Sequence, residues 1–369
     1  MQKELDALVR EVLPLDRSAM TAAEEYQARL AKPPGSLGRL EEISIQLAGI
    51  TGRVHNALNK KQLLVFAADN GVVAEGVSSA PQSVTKQQTI NLMRGKTGAA
   101  VLAKHFGCGL TVCDVGVNAD FYESTVLNRK IAYGTQNICT GPAMTREQTL
   151  QAILTGAEIA RTVDADVIGV GEMGIGNTTT SSAVLAVLLG VDVEAVTGRG
   201  GGITEESFRK KKAVIRTAIE VNRPDRDDVV GVLSKVGGFD LAAMCGAFWA
   251  RRRRAGRRSS TASFPPRRRC APSGCARMCA ATWCRATPRL RSATASRWRR
   301  WTCARCLTSA CDWARGAAVR SPFRCSTLRA LSSTTWRPLT RRASTTTIWT
   351  KFAGATSSRP ERRERAWER

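Results

Sequence analysis

At Trp249 the composition of this 369-residue chain changes so abruptly that its two sides cannot share one kind of core. Residues 1–249 carry 26 basic and 27 acidic side chains, a formal charge of −1. Residues 250–369 carry 29 Arg, one Lys and four acids, so this stretch accounts for the whole net charge of +25. It also holds eight of the twelve Cys and seven of the eight Trp, but only seven Ile, Leu and Val. A segment so poor in aliphatics and so dense in like charge buries too little apolar surface to offset chain entropy. It is expected not to fold by itself, leaving residues 1–249 as the folding domain and 250–369 as a non-native tail.

The tail has the composition of GC-rich coding DNA read out of frame, since natural basic tails mix Lys with Arg and avoid scattered Trp and Cys. Joining the third base of each codon to the first two of the next tests this. Across Ser260 to Pro266 the shifted reading permits Asp-Gly-Phe-Ile-Ser-Ala. Across Trp313, Ala314, Arg315 and Gly316 it forces a Gly and then permits Glu and Gly. From Ser321 to Leu328 it permits Ala-Phe-Pro-Leu-Leu-Asp-Ala. One shift produces all three core-like strings, so the tail reads as a frameshift product. Cys303 and Cys306 have C-x-x-C spacing, but no ordered elements frame them, and a zinc site is not expected. The Arg251–Arg254 and Arg267–Arg269 runs would bind nucleic acid only through phosphate charge. The alternative is a non-catalytic nucleic-acid-binding protein that uses this basic arm.

Residues 1–249 suffice for one large domain. No apolar run reaches the roughly 18 residues of a membrane span and no charged-then-apolar leader opens the chain. The front part has four Cys (Cys108, Cys113, Cys139, Cys245) without paired spacing, which suits small buried thiols in a reducing, cytoplasmic compartment. Leu5, Leu8, Val9 and Val12 recur at helical spacing, and Lys32 to Arg39 (KPPGSLGR) breaks helix before Leu40 restarts it. Leu63–Ala68, Leu110–Val115 and Val167–Val170 are short continuous apolar runs ending in turns. Helical patterns separate them at Val84–Met93, Ala99–His105, Arg146–Val163 and Thr178–Leu189. Buried strands alternating with helices predict an α/β fold, a Rossmann-like parallel sheet with helices on both faces. Ligands of such sheets sit beyond the carboxyl ends of the strands.

The polar and glycine clusters lie there. The run ending at Val170 leads into Gly171-Glu172-Met173-Gly174-Ile175-Gly176-Asn177-Thr178 and then a helix. Glycines let backbone amides approach a ligand, and a helix start adds partial positive charge, so the loop suits a phosphate. Asn177 or Thr178 acting as a plain N-cap is the alternative. The loop is neither a Walker loop nor a dinucleotide fingerprint. A carboxylate at Glu172 can reach a ligand, or else serves as a solvated loop charge. A second glycine run around Arg199 (Gly198 to Gly202) precedes a helix bearing Lys210, Lys211 and Lys212, at least two of which suit a solvated face. Asp69-Asn70-Gly71, with Ala80-Pro81-Gln82 and Gln87-Gln88 beyond, can line a pocket for a flat heterocycle, or make a tight turn at Asn70-Gly71. His55 and His105 neighbour no Cys or carboxylate pair, so neither a metal nor a cofactor is expected.

Several strings together resemble one family. Lys32 to Glu41, Asp69 to Val72, Asp114 to Gly116, Gly134 to Ile138, Gly171 to Thr179 and Leu233 to Asp240 resemble nicotinate-nucleotide–dimethylbenzimidazole phosphoribosyltransferase over essentially all of residues 1–248. Members of that family continue with Asp-Gly-Phe-Ile-Ser-Ala and later Gly-Glu-Gly-x-Gly-Ala, the strings the shifted frame yields, with the shift beginning at about Phe248–Trp249. The resemblance implies an α/β sheet with a smaller helical part built from both chain ends, working as a homodimer. It implies transfer of phosphoribose from nicotinate mononucleotide to 5,6-dimethylbenzimidazole, giving the α-ribazole 5′-phosphate of cobalamin synthesis. It implies Gln88 in the benzimidazole pocket, and Gly174, Gly176, Asn177, Thr178, Gly200 and Lys211 around the nucleotide phosphate. Glu172 matches a functional glutamate of the site. Asn70 stands where many relatives have His. The family's general-base Glu falls across Ala314 and Arg315, out of frame, so this chain is expected to be impaired.

Overall fold

The computed structural model describes residues 1–122 and 125–250. The expectations for the tail lie outside the described residues, including its lack of fold, the Cys303/Cys306 pair, the arginine runs and the Ala314–Arg315 position. Three helices open the chain: α1 (Gln2–Arg10), α2 (Arg17–Ala28) and α3 (Arg39–Thr51). Leu5 and Leu8 bury one stripe of α1, which ends at Arg10, two residues short of the Val12 that continues its periodicity. In the turn before α3, Glu41 accepts from Lys32 Nζ at 2.8 Å and from the Leu37 N–H at 3.1 Å. The Lys32 ammonium holds that carboxyl below its ordinary range. The KPPGSLGRLE string is therefore a connection between α2 and α3 closed on itself by the Lys32–Glu41 ion pair.

Four parallel strands follow: β1 (Lys61–Ala68), β2 (Cys108–Gly116), β3 (Leu127–Asn128) and β4 (Val167–Met173). Their order is β3-β2-β1-β4. The chain steps outward from β1 to β3, then crosses through α6 (Arg146–Thr162) to the other side of β1. A Thr145/Gln148 capping box starts that crossover helix, each side chain bonding the other's backbone N–H. The order is reversed between β1 and β4, where the carboxyl ends of two neighbouring strands splay apart and leave room for a ligand.

Strand residues alternate between two cores, because successive side chains point to opposite faces. Leu64, Phe66 and Ala68 of β1 join the larger core with α6 and with α11 (Phe239–Ala250), the helix that packs most closely on α6. Leu63 and Val65 face a smaller cluster with Val112 of β2, Leu92 of α4 (Val84–Met93) and Ala99 of α5 (Gly98–His105). The remaining helices are α7 (Asn177–Leu189), the one-turn α8 (Val193–Val196), α9 (Glu205–Asn222) and α10 (Val229–Val236). The α/β fold expected from the alternation is the observed one. No helix among the described residues is long and apolar enough to cross a membrane. Cys108, Cys113, Cys139 and Cys245 are free thiols, and burial pushes that of Cys113 up to about 12.

Candidate active site

β4 ends at the point of strand reversal, and its register places Gly171 beside Val65 and Glu172 beside Phe66 of β1. A side chain at Gly171 would lie over the β1 floor of the smaller core. Its absence leaves a cavity of about 220 Å³. Leu63, Val65 and Gly171 form the floor, Gln88 and Leu92 of α4 one wall, Thr97 and Ala99 another, and Glu172 and Met173 the rim. Drug-sized ligands take roughly 300–1,000 Å³, so this smaller, mostly apolar slot suits one flat ring system with a few polar contacts. Gln88 lines this cavity.

The loop after β4 turns tightly into α7. Gly176 has φ of 90°, in the left-handed region, and is the N-cap of α7 without any side-chain cap. The N-cap alternative for Asn177 or Thr178 is thereby excluded, since both lie inside the first turn. Their side chains point elsewhere. Asn177 donates its amide to the Glu172 carboxylate, tying the phosphate-type loop to the pocket rim. Thr178 receives a 2.6 Å hydrogen bond from Lys211 Nζ on α9. Lys211 is 1% exposed, whereas Lys210 is exposed and Lys212 lies over the Phe208 ring at 4.3 Å. Of the three lysines only Lys211 reaches the loop. Gly200, with φ of 63°, closes the cradle from the second glycine run: a Cβ there would sit 2.9 Å from Thr178 Oγ1 and 3.5 Å from Lys211 Nζ.

A buried ammonium, a hydroxyl and the start of a 13-residue helix thus converge beside backbone that carries no side chains. Burying a cation is costly unless it meets hydrogen-bond acceptors or negative charge. Chemically, such an arrangement can serve as an anion cradle. Arg199 is used otherwise, pairing with Glu205 and stacking over Phe208 at 4.9 Å. His55 packs edge-on against Tyr26. Among the described residues there is no cluster of His, Cys, Asp and Glu arranged to hold a metal.

One expectation changes. Asp69 and Asn70 do not line the pocket: they are 2% and 0% exposed and lie beneath the loop. A side chain at Gly174 would strike the Ala68 carbonyl, with Asn70 Nδ2 only 3.2 Å away, so this glycine lets the loop settle onto β1. Gly71 starts a 3-10 turn, Gly71–Glu75, rather than a hairpin turn, and donates its N–H to Thr135 Oγ1 at 3.1 Å. Asp240, at the start of α11, reaches the same spot and is wholly buried; Asn70 Oδ1 and Asp240 Oδ1 flank Gly238. Burial, reinforced by the nearby Asp69 carboxylate and opposed by the Leu241 N–H, pushes Asp240 up to about 7. Burial also raises Asp69, against the Thr85 hydroxyl and the Asn118 N–H that favour its ionised form. The role of this triad beneath the site was not apparent from sequence. Its only signal is an Asp inside the otherwise apolar stretch Phe239–Ala250.

Comparison with known proteins identifies the family. A family model described as phosphoribosyltransferase matches residues 12–255. Nicotinate-nucleotide–dimethylbenzimidazole phosphoribosyltransferase of Clostridium tetani is 44% identical over 254 residues, covering 67% of this chain and 69% of that protein. The protein of the same name from Ruminiclostridium cellulolyticum is 47% identical over 243 residues, 65% of this chain and 69% of its own length. This chain belongs to that family. A crystal structure of the family's Thermus thermophilus protein superimposes with a TM-score of 0.60 at 39% identity, covering 63% of this chain and 70% of that one. The family is one of pentosyltransferases, and the fold it shares with this chain is the α/β sheet described above.

Proposed function

We propose that residues 1–249 are built to transfer the phosphoribosyl group of nicotinate mononucleotide to 5,6-dimethylbenzimidazole, giving α-ribazole 5′-phosphate and nicotinate. The observation that carries this reading is the junction of two sites at one strand reversal. A largely apolar slot touches Gln88 and Glu172, and a candidate anion cradle of Gly174, Gly176, Asn177, Thr178, Gly200 and Lys211 adjoins it. The Asn177–Glu172 hydrogen bond joins them.

In this reading the 5′-phosphate lies against Lys211, Thr178 and the start of α7, which fixes the ribose C1′ in front of the slot. Gln88 orients the benzimidazole edge. Nicotinate on C1′ is a pyridinium, so the bond that breaks delivers its electron pair to a good leaving group. A benzimidazole nitrogen forms the new bond from the opposite ribose face, inverting β to α. The other ring nitrogen must then lose a proton, which calls for a carboxylate base. Glu172 lies at the slot and holds the loop in register through Asn177. The base that the resemblance implies falls at Ala314–Arg315, out of frame and outside the described residues.

The chain as it stands therefore keeps binding groups and lacks the proton acceptor, and its turnover is impaired. A homodimer acting in the cytoplasm, as the resemblance implies, completes the reading; sedimentation of the purified chain checks the dimer. Titrating nicotinate mononucleotide into the 369-residue chain by calorimetry tests the cradle. Saturable binding that weakens sharply in Lys211→Ala is expected, and binding indifferent to that substitution would overturn the assignment.

A further inference from the structure

We propose that Asp240 is a positioning residue for the glycine loop after β4, acting on it through the side chain of Asn70. The proposal rests on the anion-cradle reading of that loop and deepens it. Asp240 opens α11 and is wholly buried, yet its Oδ2 has no hydrogen-bond partner, while its Oδ1 accepts the Leu241 N–H at 2.9 Å. Asn70 is equally buried, and its Nδ2 is unpartnered too. Unsatisfied polar atoms at such depth cost stability, and packing alone gives no reason to place two of them side by side.

Geometry joins this pair to the site. The two side chains meet at Gly238, where a Cβ would strike Asp240 Oδ1 and Asn70 Oδ1 together. Asn70 then continues beneath the loop. Its Nδ2 lies 3.2 Å from where a Cβ of Gly174 would stand, and its own Cβ 3.3 Å from that of Gly176. Its Oδ1 accepts from Thr180 Oγ1 at 3.5 Å, in the first turn of α7 that also carries Asn177 and Thr178. One buried amide thus links Asp240 to both glycines of the loop and to the start of the helix.

The link depends on a proton. An ionised Asp240 sets acceptor against acceptor, whereas a protonated one donates to Asn70 and leaves Nδ2 aimed at the loop. Ionisation displaces the Asn70 amide or turns it over, which takes the acceptor from Thr180 and presents an oxygen to Gly174. The added buried charge also opposes an anion held nearby. Both effects loosen the cradle as pH rises through about 7, where the Asp240 carboxyl titrates. Asp69 at the end of β1 is the ionisable group that bears on Asp240, and beyond it Asp114 of β2 is paired with Lys130 at 2.7 Å. Glu172 of β4 is held by Asn177, Lys235 of α10 by the Arg223 carbonyl and Asp6 of α1 by Gln2, and the charged residues of α6 are exposed.

The test reads binding and not turnover. Nicotinate mononucleotide is titrated by calorimetry into the 369-residue chain and into its Asp240→Asn form, well below and well above the titration at about 7. The new amide keeps the Leu241 contact and always has an N–H for Asn70, so it stands for the protonated state. Ionisation of the ligand's own phosphate is common to both chains and cancels in the ratio. The two affinities should match at low pH, and at high pH the parent should bind about tenfold more weakly than the variant. In an Asn70→Ala background the Asp240→Asn change should no longer alter binding at either pH. Should Asp240→Asn fail to fold, the comparison passes to Asn70→Ala alone, whose disadvantage against the parent should shrink at high pH. Parallel pH profiles in either comparison, or an Asp240 effect that persists without Asn70, would overturn the inference alone. Absence of binding by every form at both pH values would overturn the cradle and the inference with it.

Discussion

The two faces of the sheet use the same strand in opposite ways. On one, Leu64, Phe66 and Ala68 are sealed under α11 and α6. There the helices approach so closely that a side chain at Gly156 would strike the Ala243 carbonyl, and one at Gly246 the Ile153 carbonyl. On the other, Leu63 and Val65 look into a cavity of about 220 Å³ kept open by Gly171, whose Cβ position is 3.8 Å from the nearest atom, Val65 Cγ2. Glycine serves close packing on the first face and empty space on the second. On the proposed function, stability is concentrated under α11 and binding under α4. Substitutions on the two faces should separate the two properties.

The largest expected effect lies on the sealed face and depends on pH. The folded Asp240 carboxyl titrates at about 7, against an ordinary 3.8. Between those values the folded chain holds a proton that the unfolded chain has released. The stabilising contribution is therefore complete below about pH 4 and is lost as pH rises toward 7, on the order of 4 kcal/mol in all. Urea unfolding of Asp240→Asn should show that slope removed; a slope unchanged from the parent would place the titration elsewhere. Next in size is Gly246→Leu, which forces α11 away from α6 and should cost about 3 kcal/mol in the same measurement. A loss under about 1 kcal/mol would mean the two helices are not pressed together as described.

On the open face the effects move from stability to binding. Lys211→Ala removes a charge-assisted contact, and nicotinate mononucleotide should bind about 30-fold more weakly, roughly 2 kcal/mol. The smallest change is Gly171→Val, which places methyl groups over the β1 floor. Benzimidazole binding, followed by fluorescence, should weaken about tenfold. The unfolding midpoint should hold or rise, because a β-branched residue suits a strand. A destabilised Gly171→Val with unaltered benzimidazole affinity would reverse the assignment of the two faces.

Much of this was legible in the sequence. The three long strands announce themselves as apolar runs, and α4 to α7 by their period, because each is a local pattern. The glycine loop was legible because glycine clusters at strand ends carry their own chemistry, whereas Lys211 was set apart from its neighbours by the resemblance alone until its contact with Thr178 was seen. Asp240 and Asn70 were not, because they lie 170 positions apart and meet only when α11 folds onto the end of β1. The α6–α11 contact was equally hidden: Gly156 and Gly246 read as weak points of helices until each is seen to admit a neighbour's backbone. The strand order β3-β2-β1-β4 was not legible either, because local patterns do not specify it.

In the proposed function, a nucleotide-binding fold lacks its proton acceptor because the message slips near codon 249. Nicotinate release from nicotinate mononucleotide and 5,6-dimethylbenzimidazole, compared between this chain and one whose frame is restored by a single-base change there, tests it most directly. The restored chain should turn over at least about 10²-fold faster, the low end of what a general base supplies. Equal turnover by the two chains would contradict the account.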